Sequence, residues 1–143
     1  MAMNLRTSAL AISTGNRLQS HISQFLQSRY DIGSVEWRML DVLSEHPDQR
    51  MNQITELTEM DKAAVSRALT KLGEKRLAKA QVNLDNQRCK IWQLTPAGSA
   101  LHDVVLTEYQ RLQATMFEGI DEADMAKTCD VLQQIRNNLD SME

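Results

Sequence analysis

Apolar residues recur along most of the chain at the three- and four-residue spacing that places them on one side of an α-helix. This spacing predicts helices over about 8–30, 34–45, 52–58, 61–77, 97–117 and 122–140. The helices are separated by polar or proline-containing breaks, of which the first are Asp31-Ile32-Gly33 and His46-Pro47-Asp48. Ser34, Asp61 and Thr95 precede helical segments and are predicted N-caps, because their side-chain oxygens can accept from the first free N–H groups.

The apolar stripes identify the expected core. Trp37, Leu40 and Leu43 form the stripe of the second helix, and Ile54 and Leu57 are expected to point inward from the third. Between 80 and 94 the period changes to alternation, over 80–84 and again over 91–94, with the charged segment 85–90 between them. This change predicts a β-hairpin whose loop is 85–90. The predicted fold is mainly α with a small β-hairpin.

The short helix 52–58, the turn Glu59-Met60 and the helix 61–77 together form a helix-turn-helix pattern. At 100° per residue, the side of the last helix opposite its apolar stripe is small, hydroxylic and basic, and it carries Ala63, Ser66, Arg67 and Thr70 with Lys71 beside them. A guanidinium can donate two hydrogen bonds to a guanine edge, and hydroxyl and ammonium groups can bind phosphates. The alternative interpretation is an ordinary amphipathic helix with a solvated polar face.

The distribution of charge favours the first interpretation. Residues 62–90 contain eight basic and two acidic side chains, a net charge of +6, so the rest of the chain carries −9 to give the total of −3. A basic segment in an acidic protein indicates a local surface for a polyanion. It coincides with the helix-turn-helix pattern and the hairpin.

Composition narrows the remaining classes of protein. No apolar run approaches the ~20 residues that span a bilayer, the N-terminus lacks a signal-peptide pattern, and two cysteines fit a reducing cytoplasm. His21, His46 and His102 are scattered without metal-ligand spacing, so satisfied or exposed histidines are expected and no metal or cofactor is predicted. Neither a glycine-rich phosphate loop nor a nucleophile-base arrangement supports an enzyme.

The long terminal helices carry more apolar surface than the central unit could cover. This excess predicts a homodimer, with 1–33 and 97–143 as the helical dimerisation region. The helix-turn-helix and hairpin within 34–96 are the predicted DNA-binding region, and both regions are expected to form one intertwined domain.

Three short motifs occur in a familiar order. WRML lies in the second helix, VSRALTKL in the helix 61–77, and NQR in the hairpin is followed by LTPAG. With these motifs the chain resembles the MarR family of bacterial transcription regulators from about Leu10 to Leu139. The resemblance implies a winged helix-turn-helix in each subunit of a dimer, with the recognition helix in the major groove and the hairpin wing in a minor groove. It also implies that small molecules or oxidants modulate DNA binding.

The family's motifs place Ser66 and Arg67 in the recognition helix and Arg88 in the wing. The chain departs from the family's pattern at Asn86, where aspartate is usual, and at Glu59 and Arg76, where glycine is frequent. The first helix has no cysteine, so the peroxide sensing of some relatives does not carry over. Cys89, between two basic residues of the wing, is either a redox switch or an incidental small residue. Cys129 is expected to be a small buried residue.

The predicted function is a sequence-specific regulator of double-stranded DNA, a homodimeric repressor of an inverted-repeat operator that a small-molecule effector relieves. The alternative is an effector-sensing or protein-interaction module with little DNA affinity. Arg67 is expected to contact a base or to grip a phosphate, and Arg88 to enter a minor groove or to remain an exposed arginine. The predicted DNA-binding residues are Lys62, Ala63, Ser66, Arg67, Thr70, Lys71, Lys75, Arg88 and Lys90.

Overall fold

The computed structural model of the chain describes residues 2–83 and 86–142, and for residues 83 and 86–88 it describes the backbone alone. Its helices are α1 (Ala2–Tyr30), α2 (Ser34–Glu45), α3 (Met51–Thr58), α4 (Lys62–Glu74), α5 (Pro96–Met116) and α6 (Glu122–Asp140). Its strands are β1 (Gln49–Arg50), β2 (Ala78–Asn83) and β3 (Asn86–Leu94). The predicted fold class, mainly α with a small β wing, is confirmed. Among the described helices, none has the length and apolar character needed to cross a bilayer.

The sheet is larger than the predicted hairpin. Its three antiparallel strands lie in the order β1-β3-β2, with Trp92 of β3 opposite Gln49 on one side and Ala80 on the other. The prediction that 85–90 form a loop is wrong for the described residues 86–90, which belong to β3. These residues are polar, so their strand conformation comes from cross-strand pairing, as between Val82 and Lys90, and leaves no apolar alternation to detect.

The core lies under α2 and α4. Trp37, Leu40 and Leu43 are buried as predicted, and so is Ile54. Leu57 is 43% exposed, so its predicted inward position is wrong. Sequence spacing indicates the face of a helix but not how far the neighbouring elements cover that face. The side chains with almost no exposure are Leu26, Ile32, Met39, Leu40, Leu43, Ile54, Val65, Leu69, Leu72 and Val105.

Two of the three predicted N-caps are confirmed. The backbone N–H of Ala64 donates to Asp61 Oδ2 at 3.1 Å, and the N–H of Gly98 donates to Thr95 Oγ1 at 3.0 Å. The prediction for Ser34 is wrong, because Ser34 is already helical and Gly33 is the N-cap. The Gly33 N–H donates instead to Glu36 Oε1 at 3.3 Å, so the first turn of α2 is held by a carboxylate three residues along.

The end of α4 is a compact turn that differs from the predicted end at 77. The helix ends at Glu74, and Arg76 has a φ of +59°, a left-handed conformation that glycine adopts most easily. The N–H of Arg76 donates to the Gly73 carbonyl at 3.0 Å and that of Leu77 to the Leu72 carbonyl at 2.9 Å. These two bonds are the Schellman pattern, which satisfies carbonyls that a helix end leaves free.

The first turn of α5 sits directly on this turn. The Thr95 hydroxyl donates to the Arg76 carbonyl at 2.7 Å, and the Thr95 N–H donates to the Leu77 carbonyl at 3.0 Å. Gly98 approaches the same backbone so closely that an added Cβ would lie 1.9 Å from the Leu77 carbonyl oxygen. The end of α4 is therefore fixed by backbone contacts with the start of α5.

The chain forms two compact units, Met1–Leu106 and Thr107–Glu143, whose boundary falls within α5. In the second unit, Asp121 caps α6 by accepting from the Asp124 N–H at 2.8 Å, and no residue of α6 is buried. Cys129 is exposed, so its predicted burial is wrong for the single chain. Sequence placed it on an amphipathic helix but did not show which residues cover that helix.

Candidate nucleic-acid interface

The helix α4 has the two faces that its sequence predicts. Val65, Leu69 and Leu72 are fully buried beneath it. The opposite face has Ser66 at intermediate exposure and otherwise exposed residues, namely Lys62, Ala63, Arg67, Thr70 and Lys71. The Thr70 hydroxyl donates to the Ser66 carbonyl at 2.9 Å, so its remaining capacity toward a ligand is as an acceptor. The exposed face is cationic and hydroxylic, and its small residues permit close approach of a partner.

Lys75 is the predicted DNA-binding residue whose ammonium group is engaged within the protein. Its Nζ lies 2.8 Å from Glu36 Oε2 and also donates to the Asp31 carbonyl at 2.5 Å. The Glu36 side chain is only 8% exposed and also accepts from the Gly33 N–H. Lys75 therefore links the end of α4 to the start of α2, which is a positioning role, and its predicted contact with DNA stays a prediction. Sequence reasoning did not select Glu36, because its partner lies 39 residues away.

A double-mutant cycle tests this link. Glu36→Gln and Lys75→Met are each expected to lower the free energy of unfolding, and the double variant to lose less than their sum, with a coupling of about 1 kcal/mol. We expect a smaller coupling free energy than for a fully buried ion pair, because the Lys75 side chain is 34% exposed and water screens its charge. Chemical denaturation measures all four proteins. The matched cycle uses Glu74→Gln, next to Lys75 in sequence but exposed, and should show no coupling. Additive effects of Glu36→Gln and Lys75→Met would contradict the link.

The structure brings four other predicted residues together. Lys62, Ser66 and Thr70 of α4 and Lys90 of β3 line one crevice of about 420 Å³. Arg50, which the sequence analysis did not select, also lines it. Arg50 follows a predicted turn, and its neighbours show no helical or strand periodicity that would have marked it as a binding residue. The predicted wing residue Arg88 lies on β3, but its side chain is outside the described residues.

A second cleft, of about 410 Å³, opens on the other side of Arg67. Its walls come from α1, the start of α2 and α4, and are formed by Ser23, Gln27, Gly33, Ser34, Val35, Glu36, Ala64, Arg67, Ala68 and Lys71. Arg67 and Lys71 thus belong both to the outward face of α4 and to this cleft. A molecule bound in the cleft would contact side chains that a polyanion on α4 would also use.

A buried histidine connects α5 to α2. His102 is buried, its ring stacks on Trp37 with centroids 5.2 Å apart, and its Nε2 lies 3.1 Å from Asp41 Oδ1. It is a satisfied histidine that joins α5 to α2, as the sequence analysis expected of such residues.

Comparison with known proteins shows which family the chain is similar to. The model of the MarR family matches residues 30–88, from the end of α1 into β3. The structure also matches that of a MarR/EmrR family transcriptional regulator from Acinetobacter sp. ADP1 with a TM-score of 0.84 and 27% identity, covering 97% of this chain and 98% of that one. The chain thus matches the MarR family model over its central segment and resembles a MarR/EmrR regulator in fold along almost its whole length.

Two further MarR-like structures share the fold at lower identity. Staphylococcus aureus MepR, solved as a DNA complex, has a TM-score of 0.83 and 21% identity over 93% of this chain and 97% of that one. Staphylococcus aureus MarR in complex with salicylate and kanamycin has a TM-score of 0.78 and 22% identity over 99% and 95%. The family resemblance stated from the motifs is confirmed. The proteins that this chain resembles are transcriptional regulators, and the family whose model it matches is a family of non-enzymatic regulators.

Proposed function

We propose that this chain is a MarR-family regulator, a homodimeric repressor that binds an inverted-repeat operator and is released by a small-molecule effector. The observation that carries the proposal is the outward face of α4, where Arg67 and Lys71 are exposed beside hydroxylic and small residues. That face belongs to the segment 62–90, which holds a net charge of +6 in a chain of −3. A protein-interaction module without DNA affinity has no need for this separation of charge.

The proposed contacts divide into base and phosphate contacts. Arg67, one turn into the exposed part of α4, is proposed to donate to a base edge in the major groove. Ala63 leaves room for the helix to approach. The phosphate contacts are assigned to Lys62, Ser66, Thr70, Lys71 and Lys90, and the lysines among them raise affinity and salt dependence without reading sequence. Thr70 makes its contact by turning its hydroxyl away from the Ser66 carbonyl to which it donates in the free protein. Arg88 remains the proposed minor-groove residue of the wing.

The homodimer is proposed from apolar side chains that the single chain leaves exposed. In α1 these include Leu5, at 73%, and Ile12, at 67%. In α6 they include Leu132, at 51%, and Leu139, at 57%. Burying such surfaces in a symmetric dimer would remove them from water. We retain 1–33 and 97–143 as the dimerisation region and 34–96 as the DNA-binding region.

The effector is proposed to bind the cleft beside Arg67. This cleft offers a guanidinium, an ammonium and the hydroxyls of Ser23 and Ser34, together with apolar wall atoms, and so has the mixed lining of a small-molecule site. A ligand there lowers DNA affinity only if it binds the free regulator better than the DNA-bound one. Shared use of Arg67 and Lys71 supplies such a difference. The salicylate bound to S. aureus MarR supports effector binding by a protein of this fold.

Gel-shift titration tests the proposal with two duplexes, the DNA upstream of the protein's own gene and a scrambled sequence of equal composition. We expect tighter binding to the first at both 50 and 200 mM salt, two concentrations chosen because phosphate contacts make affinity fall steeply between them (about 10³-fold for six contacts). Equal affinity for both duplexes would indicate a nonspecific role, and no affinity for either would indicate the protein-interaction module.

Light scattering tests the proposed dimer. At micromolar concentration it should give twice the chain mass of 16.3 kDa, and a monomer would contradict the dimer. Because the proposed partner is genomic DNA, we propose the cytoplasm as its compartment.

A further inference from the structure

The crevice between α4 and β3 has three cations, each from a different element. Arg50 is the N-cap of α3, Lys62 is the first residue of α4, and Lys90 lies on β3 opposite Val82. The full lining is Arg50, Met51, Asn52, Lys62, Ser66, Thr70, Cys89, Lys90 and Trp92. Local sequence does not unite these residues, since Arg50 and Lys90 are brought together only by the pairing of β1 with β3.

The lining has no carboxylate among its members. Among the side chains that the structure describes, the ion pairs lie elsewhere, and none involves Arg50, Lys62 or Lys90. Three like charges around one crevice repel each other, and this repulsion is relieved when an anion enters. The crevice is thus electrostatically arranged for an anionic ligand.

The uncharged donors indicate which class of anion fits. The Asn52 side-chain oxygen accepts from the Gln53 N–H at 3.0 Å, which leaves its amide NH₂ available to donate. Ser66 adds a hydroxyl, and the first turn of α3 adds the positive end of a helix dipole. Three cations, an amide and a hydroxyl match a phosphate, whose oxygens only accept, and the Thr70 hydroxyl is not counted among these donors because it donates to the Ser66 carbonyl. A volume of about 420 Å³ also accommodates the sugar attached to it.

The position of the crevice indicates the source of the phosphate. Lys62, Ser66 and Thr70 lie on the same face of α4 as Arg67, so a duplex on that face would place its backbone beside the crevice. We propose that the crevice is a phosphate-binding site that holds one backbone phosphate of DNA, and that Arg50 is a DNA-binding residue. The proposal rests on the proposed function and adds a residue and a site to it. A phosphate held between α3, α4 and β3 fixes the register of the recognition helix on the duplex without reading bases.

The salt dependence of DNA binding tests the assignment. Arg50→Met is expected to weaken binding to the operator and to the scrambled duplex by the same factor, about fivefold, and to lower the slope of log Kd against log salt by about 1. Lys90→Met, from another element, should do the same. The matched control is Lys79→Met, which removes one charge from the same basic segment. Lys79 pairs with Gln93, one residue along β3 from Trp92, so it points to the opposite face of the sheet. Its slope should equal that of the wild type.

Further measurements separate the outcomes. Thermal unfolding followed by circular dichroism checks that each variant is folded, and Arg50→Lys, which keeps the charge, should keep the slope. If the wild type binds DNA, an unchanged slope for folded Arg50→Met and Lys90→Met would overturn the assignment of the crevice to a DNA phosphate.

Calorimetric titration with inorganic phosphate at constant ionic strength tests whether free phosphate is the ligand. Phosphate binding that Arg50→Met abolishes, with DNA slopes unchanged, would show a site for free phosphate and reject DNA as its ligand. If the wild type bound no duplex, the proposed function would fail first, and absence of phosphate binding would then overturn the site as well.

Discussion

Gly98→Ala is expected to lower the free energy of unfolding by about 3 kcal/mol or more, the largest effect among the five glycine-to-alanine substitutions that this chain allows. The added Cβ would lie 1.9 Å from the Leu77 carbonyl oxygen and 2.9 Å from its carbon, both of them backbone atoms. Backbone cannot rotate away as a flexible side chain can, so α5 has to shift off the turn that ends α4. The Thr95 hydrogen bonds to Arg76 and Leu77 would be strained by the same shift.

Chemical denaturation of wild type and Gly98→Ala measures this loss. Gly15→Ala is the matched control, because Gly15 is also helical but has no atom within 4 Å of an added Cβ. Alanine there is expected to stabilise the protein by up to about 1 kcal/mol, since glycine is the poorer helix former. Equal stability of Gly98→Ala and wild type would show that α5 does not sit on this turn. Folded Gly98→Ala, where obtained, should also bind the operator more weakly, because the same turn holds the end of the recognition helix.

Arg67→Ala is expected to weaken binding to the operator about 10- to 100-fold, or about 1–3 kcal/mol, and to weaken binding to a scrambled duplex much less. Arg67 is exposed on α4 between Ser66 and the buried Ala68, so its removal leaves the core intact. The loss would fall on sequence preference, because a guanidinium forked onto a base edge distinguishes that base from the others. Competition gel shifts with operator variants measure this preference directly.

Two variants separate a base contact from a phosphate contact. Arg67→Lys keeps the charge but loses the planar fork, so a base contact predicts lost preference with largely retained nonspecific affinity. Lys71→Ala, one turn along the same exposed face, is expected to weaken both duplexes equally. If Arg67→Ala also weakened both duplexes equally, Arg67 would be a phosphate contact and the base-reading role would have to be assigned elsewhere.

Several features of the fold were predictable because they depend on short-range interactions. The inner stripe of α4, with Val65, Leu69 and Leu72, follows from helical periodicity. The caps at Asp61 and Thr95 follow from side chains that reach their own helix. Sequence motifs likewise indicated the resemblance to the MarR family, because they follow the family's order of recognition helix, wing and following helix. The exposed face around Arg67 was likewise predictable, because helical spacing places it opposite the apolar stripe of α4.

Other features depend on residues that are distant in the chain, and local pattern carried no sign of them. The strand β1 exists because Gln49 and Arg50 find a partner more than forty positions later in β3. Lys75 was predicted to face DNA because it lies at the edge of the basic face, yet a buried carboxylate on α2 holds its ammonium group. Leu57 and Cys129 were predicted inward, but neighbouring elements leave them exposed in the single chain.

The sequence alone thus determined which segments are helical, which side of α4 is cationic and which family the chain resembles, because periodicity, capping and motif order extend over a few residues. Only the tertiary structure decided that Arg50 shares a crevice with Lys62 and Lys90, that Arg67 also borders a cleft, and that Gly98 lies against Leu77. These arrangements arise when strands pair and helices dock. The energies that select them come from contacts between separate parts of the chain.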